Sequence, residues 1–410
     1  MKNILFKTFL IFLLILPVSL SAYDFGLVVN ANGGYGNNLA EDNTFSYKID
    51  LWPRFSTLIG DNGELIISAV FSVGNEYGFS YIPELLRTEF NMRFGNSGIR
   101  AGRINYSDPL ALIANGLFDG VQFYNNSNAG TLRVGAWYTG FLYKKRANIV
   151  MSESDETEFF EPLDYGDFSN TYFASKRLFA SIGWEHPSLG ELLHLNTAII
   201  GQMDLNGAYT SYNNEYAVVK IGIPIKNFLM EFGGSVEFSQ VSFDDNNSDN
   251  NGNFISFAGD IGLSLLFPSQ YSSRLLLKGI IAGGKKDEDT SGAFTPITSD
   301  EYGYILKTRI AGLSVFSLNY LSKFNRFFSG SFTASYFVRN DLGTFYGYPI
   351  EADSKGYFLG LEPSVKFTWS PTSDLQFNLG GGAFLPSLGN AGKEEKVKWR
   401  VDLTVIMLLL

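Results

Sequence analysis

Basic residues recur at even spacings along this chain. Arg87 and Arg93 are six apart, Arg274 and Lys278 four, and Lys398 and Arg400 two. In an extended strand even spacing puts side chains on one face, so each pair would present two cations to the same space. Cations gathered on one wall raise the local anion concentration, which is the chemistry of solute selection rather than of bond making. Material for bond making is scarce. There is no Cys, which excludes thiolate metal sites and a catalytic Cys, and there are only two histidines, His186 and His194. His186 precedes Pro187 in a turn-like stretch and His194 lies near the same end, so neither is placed for hydrolytic chemistry. No catalytic residue, metal site or cofactor is expected.

The elements that would hold these cations read as strands. From Phe45 to Ile59 the odd positions are mostly apolar and the even ones mostly polar. Residues 357–369 repeat the pattern, and 397–405 set Val, Trp, Val, Leu and Val against Lys, Arg, Asp and Thr. Period-two alternation means one apolar face and one polar face. A soluble sandwich alternates in the same way, so the connections must decide the class.

Eight connections are short turn signals: 60–63, 95–98, 125–130, 186–191, 226–227, 268–273, 322–325 and 370–374. Nine are longer or more polar: 34–43, 75–80, 107–117, 144–170, 204–213, 244–252, 284–303, 340–354 and 386–395. The two kinds alternate strictly, as short periplasmic turns and long outer loops do in outer-membrane barrels. The expected fold is therefore all-β, a transmembrane antiparallel β-barrel of about eighteen strands, with sixteen left open. Pro53, Pro224 and Pro363 fall inside these strands, where bulges or a different register would have to absorb them. The stretch 313–315 loses its polar phase.

A barrel of eighteen strands is too wide for its own side chains to fill and should enclose water. Reading the polar phase as inward gives sixteen inward bases. They are Lys48, Arg54, Arg87, Arg93, Arg100, Arg133, Arg177, Lys220, Arg274, Lys278, Lys307, Arg309, Arg339, Lys366, Lys398 and Arg400. Ten acids share that phase: Asp24, Asp50, Glu64, Glu89, Glu185, Glu231, Glu237, Asp260, Glu362 and Asp402. The plain alternative is that these charges pair across strands and only keep the lumen wet, yet the excess of six bases stands against an acidic chain. The acid sits in the loops, above all in 144–170, where Glu153, Asp155, Glu156, Glu158, Glu161, Asp164 and Asp167 read as a solvated tip.

Composition agrees. The 410 residues carry 31 bases against 41 acids, a net charge of −10, which gives no footing for nucleic acid. Aromatics reach 16% and charged residues only 18%. The first 22 residues read as a secretory leader: Lys2 and Lys7, a nearly unbroken apolar run 8–16, Pro17, then small residues allowing a cut after Ser21 or Ala22. Residues 23–410 would then form one barrel domain. No later stretch reaches the length of a membrane-spanning helix.

Residues 100–121 read RAGRINYSDPLALIANGLFDGV. Gly102-Arg103 ends one strand, Asp108-Pro109-Leu110 lies in a loop, and Phe118-Asp119-Gly120-Val121 opens the next strand. This segment resembles bacterial porins, and alginate-export outer-membrane porins in particular. The resemblance implies an eighteen-stranded channel lined by arginine and lysine that carries acidic polysaccharide or other anionic solutes. The chain departs from outer-membrane barrels at its end, Met407-Leu408-Leu409-Leu410, which lacks their terminal aromatic residue. Within the segment, Arg103 and Asp119 are expected to pair and anchor the 107–117 loop as a constriction. The functional expectation is a passive outer-membrane channel for hydrophilic solutes with anion preference. A surface adhesin or structural barrel is the second reading and a barrel hydrolase the third. Partners would be outer-membrane lipid, the solute, and the barrel-assembly and periplasmic chaperone machinery.

Overall fold

The structure, a computed structural model, describes residues 23–37, 43–75, 79–206, 210–243, 252–268, 272–285, 292–341, 354–392 and 396–409. Residues 1–22, the expected leader, lie outside them. Eighteen strands form one sheet, and each pairs antiparallel with its chain neighbours. They are Tyr23–Gly36 (β1), Thr44–Ile59 (β2), Gly63–Gly74 (β3), Ser80–Phe94 (β4), Ser97–Ser107 (β5), Asn115–Ser127 (β6), Gly130–Tyr138 (β7), Arg177–Leu189 (β8) and Leu193–Asp204 (β9). There follow Thr210–Ile225 (β10), Phe228–Phe243 (β11), Gly252–Phe267 (β12), Ser273–Ala282 (β13), Leu313–Lys323 (β14), Phe328–Arg339 (β15), Phe358–Trp369 (β16), Leu375–Phe384 (β17) and Lys398–Leu409 (β18). β1 pairs with β18 from Leu27↔Leu409 to Gly36↔Arg400, which closes the barrel.

Alternation decides which face each residue takes. On β12, Ile255, Phe257 and Ile261 are exposed on the outer face, while Ser256, Asp260 and Ser264 are buried on the inner one. The inner face is knitted by short polar bonds: Asn32 donates to Thr404 (2.7 Å), Ser72 to Asp50 (2.6 Å) and Asn319 to Thr333 (2.7 Å). An apolar outer band and a hydrogen-bonded interior satisfy a barrel that stands in hydrocarbon.

All the strand prolines sit where one side of the ladder is missing. The β2–β3 ladder skips from Leu51↔Phe71 to Arg54↔Ser68, passing Pro53. The β9–β10 ladder stops at Gly222, before Pro224, and the β17 ladder begins at Ser364, just after Pro363. A residue without N–H is tolerated at such local edges.

Eight short turns gather at one end and nine longer connections at the other. Three of the longer ones turn into the lumen: 108–114, 139–176 and, in its described residues 283–285 and 292–312, the connection 283–312. The second carries three short helices, Lys144–Ala147 (α1), Glu153–Phe160 (α2) and Phe168–Tyr172 (α3). Leu110, Leu112, Ile113, Leu142, Ile149, Met151, Phe294, Ile297, Ile305, Leu306 and Ile310 from these segments form one buried cluster with apolar inner-face residues of the wall. This corrects several expectations. Leu313 and Val315 face inward without a polar phase because the cluster covers them. Lys307 and Arg309 belong to the inserted segment, where Arg309 forms only a two-residue ladder with Glu301, and not to the wall. Asp155 is not part of a solvated tip: it is fully buried and closes the capping box that starts α2.

Candidate functional site

The loop end of the lumen is dry and tied shut. Leu110, at the tip of the β5–β6 hairpin, lies against Gly233 of β11, where a larger residue would collide with it. Asp108 accepts backbone N–H bonds from Leu110 (2.8 Å), Ile113 (2.8 Å) and Ala114 (3.0 Å), which folds the tip into a compact knot. The knot joins segment 283–312 through the Thr298 N–H to Ile113 C=O bond (3.0 Å), and that segment joins 139–176 through Ser299 N–H to Asn148 C=O (2.9 Å).

Wall carboxylates hold the inserted backbone. Glu237 on β11 accepts from the Thr295 N–H (2.9 Å), and Glu362 on β16 accepts from Ile305 (3.0 Å) and Leu306 (2.8 Å). Tyr304 bonds Asp402 on β18 and lies over Gly380 and Gly382 of β17, where side chains would displace it. Arg177, fully buried, bonds Asp155 of α2 (2.5 Å) and Asp204 (3.1 Å). A buried guanidinium with two carboxylates is structural equipment, and breaking it would strand charge. Arg339 is likewise buried, donating to the carbonyls of Gly356 (2.6 Å) and Ser354 (2.7 Å).

The turn end is wet. A cavity of about 1020 Å³ opens there beside Asp61, Asn62 and Asn96. Arg93, Arg100 and Arg133 line it, with Asn91, Gln122, Tyr124 and Glu89. Three successive registers put them there, since Arg93 lies opposite Gly98, Arg100 opposite Gln122, and Arg133 opposite Tyr124. Glu89 is buried and takes Arg100 (2.9 Å) and Arg87 on its two oxygens. Arg133 meets Glu185 (2.6 Å) with both side chains about two-fifths exposed. The Arg93 side chain has no partner among the described residues. Glu64 and Asp61 line the cavity too, so with Glu89 and Glu185 the acids equal the four arginines in number, and the exposed Arg93 is the arginine left without an ion pair among the described residues.

The other sequence candidates divide by wetness. Lys48 is exposed near Asp50 (3.5 Å), and Lys220 and Lys278 share Asp260 at 3.9 and 3.8 Å. Arg54 and Lys366 are exposed and carry no ion pair among the described residues. Arg274 donates to Ser264 (2.7 Å), Lys398 is half-buried, and Arg400 is buried between Asp402 (2.5 Å) and Ser46 (2.8 Å).

Arg103 and Asp119 pair through two bonds of 2.9 and 2.8 Å, as expected. They do not anchor the 107–117 tip, however. The remaining guanidinium N–H groups go to the carbonyls of Leu85 on β4 and Phe141 (2.9 Å) in segment 139–176. The tip is held by Asp108 instead. Glu84 escaped sequence reading because Leu86 is an extra residue in β4: the ladder with β3 shifts between Ser68 and Ala69. A bulge reverses the phase beyond it, so Glu84 faces inward and binds Arg146 of α1 (2.6 Å). The Gly380–Gly381–Gly382 run was a readable signal that something packs against β17.

No protein-family model matches the chain, and no curated protein matches it in sequence. Solved structures do match in fold. Pseudomonas aeruginosa OccK2 (OpdF) superposes with a TM-score of 0.63 at 12% identity, covering 95% of this chain and 99% of that one. The P. aeruginosa outer membrane protein OpdK, solved with vanillate, gives 0.58 at 11% identity over 94% and 98%. Acinetobacter baumannii OccAB2 gives 0.58 at 9% over 95% and 98%. OccK2 has also been crystallised with glucuronate. The chain therefore has the closed eighteen-stranded antiparallel barrel of these outer-membrane proteins.

Proposed function

We propose that this barrel is a passive outer-membrane channel for small hydrophilic anions, and for carboxylates in particular. The carrying observation is the arginine cluster at the turn end, where Arg93, Arg100 and Arg133 line the wet cavity beside Asp61, Glu64 and Glu89, and the Arg93 guanidinium has no ion pair among the described residues. Guanidinium groups bind carboxylates in two-point fashion, and a low-dielectric wall focuses their field on the lumen. Glucuronate and vanillate, crystallised with proteins of this fold, are both carboxylates. The exposed Lys48, Arg54 and Lys366 extend the basic surface, with the half-buried Lys220 and Lys278 beside Glu231 and Asp260, and Arg274, Lys398 and Arg400 as less accessible members. Acidic polysaccharide, the solute suggested by the likeness of residues 100–121 to alginate-export porins, is the finer reading. The interlocked loops favour a single sugar acid over a polymer, because a chain would have to thread the packed cluster. In this reading residues 1–22 are the export leader and the turns lie in the periplasm.

Reversal potentials across a KCl gradient test the channel. Chloride preference is expected, strongest in dilute salt, because the screening length falls from about 10 Å at 0.1 M to about 3 Å at 1 M. Added glucuronate should reduce the chloride current. Cation preference in dilute salt would overturn the reading.

A further inference from the structure

The barrel wall is incomplete on one side. β4 and β5 pair only between Thr88↔Arg103 and Phe94↔Ser97. Beyond that point β4 runs on to Ser80 with β3 as its sole partner, and β5 runs on to Ser107 paired only with β6. The separation begins at Gly102, whose φ of +100° and close approach to the Thr88 carbonyl turn the β5–β6 hairpin into the lumen.

An open strand edge inside a membrane must find other partners. Segment 139–176 supplies most of them. The Tyr165 hydroxyl accepts from the Tyr81 N–H (2.9 Å) and donates to the Tyr81 carbonyl (2.7 Å). The Tyr172 hydroxyl donates to the Pro83 carbonyl (2.7 Å), and Arg103 to that of Leu85. Residues 81, 83 and 85 alternate, as the partners of a neighbouring strand would, and Pro83 has no N–H to satisfy. On the inner side Arg146 binds Glu84. The outer lip is apolar, with Phe79, Tyr81, Leu85 and Phe141 exposed. Behind the seam lie Tyr143 against Tyr172 (ring centroids 4.9 Å) and Phe168 against Tyr172 (4.4 Å).

We infer that the gap between β4 and β5 is a lateral portal into the lumen, with segment 139–176 as its removable panel, serving apolar or amphipathic molecules dissolved in the membrane. Side-chain bonds from a loop replace a strand ladder there, so the panel can leave without unzipping the barrel. The aromatic lining on both sides of the seam suits a hydrocarbon or aromatic group. This route is separate from the axial arginine path.

The absence of native cysteine makes the test clean. Val70, wholly buried on the inner face opposite Glu84, becomes the reporter as Val70→Cys. Proteoliposomes receive either a maleimide on a long alkyl chain, confined to the bilayer, or a charged water-soluble maleimide. Removing both hydroxyls with Tyr165→Phe/Tyr172→Phe should speed labelling by the bilayer reagent about tenfold, with little change for the soluble one. Tyr165→Phe alone gives a smaller rise and keeps the test alive should the double variant fail to fold. Equal acceleration of both reagents, or no labelling from the bilayer in any variant, would overturn the portal while leaving the axial channel untouched.

Discussion

The two ends of this lumen obey one rule and reach opposite results. At the turn end the inner face keeps its charges in water, and Arg93, Arg100 and Arg133 surround an open cavity. At the loop end inner-face Trp137, Phe179, Tyr216, Phe337 and Phe384 are buried under inserted segments, and buried charges are tied to protein partners, as Arg177 is to Asp155. The difference shows that facing inward is not the same as facing the solute. What lies across from a residue decides whether its charge acts on solutes or on the protein.

The largest effect should come from the dry end. Arg177→Met leaves Asp155 and Asp204 buried without their cation, at a cost of about 3–5 kcal/mol. The heat- or urea-induced loss of the fast-migrating folded band should shift strongly, and an unchanged midpoint would erase the contrast between the ends. Next comes Gly382→Val, which pushes the Tyr304 ring off β17 and loosens segment 292–312. A cost of about 1–3 kcal/mol is expected for such overpacking, together with larger and noisier single-channel currents.

At the wet end the ranking reverses, with function changing and stability holding. Arg93→Gln/Arg133→Gln should move the reversal potential toward cation preference. The unfolding midpoint should barely move, because exposed substitutions stay within about ±0.5 kcal/mol. The smallest effect concerns Lys145 in α1, whose ammonium is pushed down to about 8 by burial, with Lys144 and Arg309 adding repulsion. Its charge is present below that value and lost above it, so anion preference should decline slightly as pH rises through 8. The folded form gives up this proton more readily than the unfolded one. Lys145 therefore contributes a small gain in stability between about 8 and the ordinary lysine value of 10.5. Lys145→Gln should flatten both dependences.

Much of the wall was legible in the sequence. Turns and loops alternate as read, and all eighteen strands form, because a period of two and turn chemistry are local properties. The expected pairing of Arg103 with Asp119 also forms, since Gly102-Arg103 and Asp119-Gly120 fall opposite each other in one hairpin. The contents of the lumen were much less legible. Polar phase served as the sign of an inner face, so Ile104, Phe118 and Val218 gave no hint that loops cover them. Arg177 and Arg339 had the right phase and the wrong surroundings, because burial by a segment distant in sequence leaves no periodic trace. Pro83 was the overlooked clue to the seam, a strand proline at an edge that only the closed barrel defines.

Leu86 works like an inserted letter in a message read two characters at a time. Below it, Arg87, Glu89, Asn91 and Arg93 are read toward the lumen; above it, Glu84 and Ile82 are, although their parity differs. One strand can thus carry two independent texts, one addressed to solutes and one to the inserted segment. Deleting that letter would straighten the ladder and leave both texts in frame, because Arg87 and Leu85 already face the adjacent Ser68 and Ala69. Pairing Leu86 with Ala69 instead would send Glu84 toward lipid and Leu85 toward Arg146, while the arginine cluster below stays in frame.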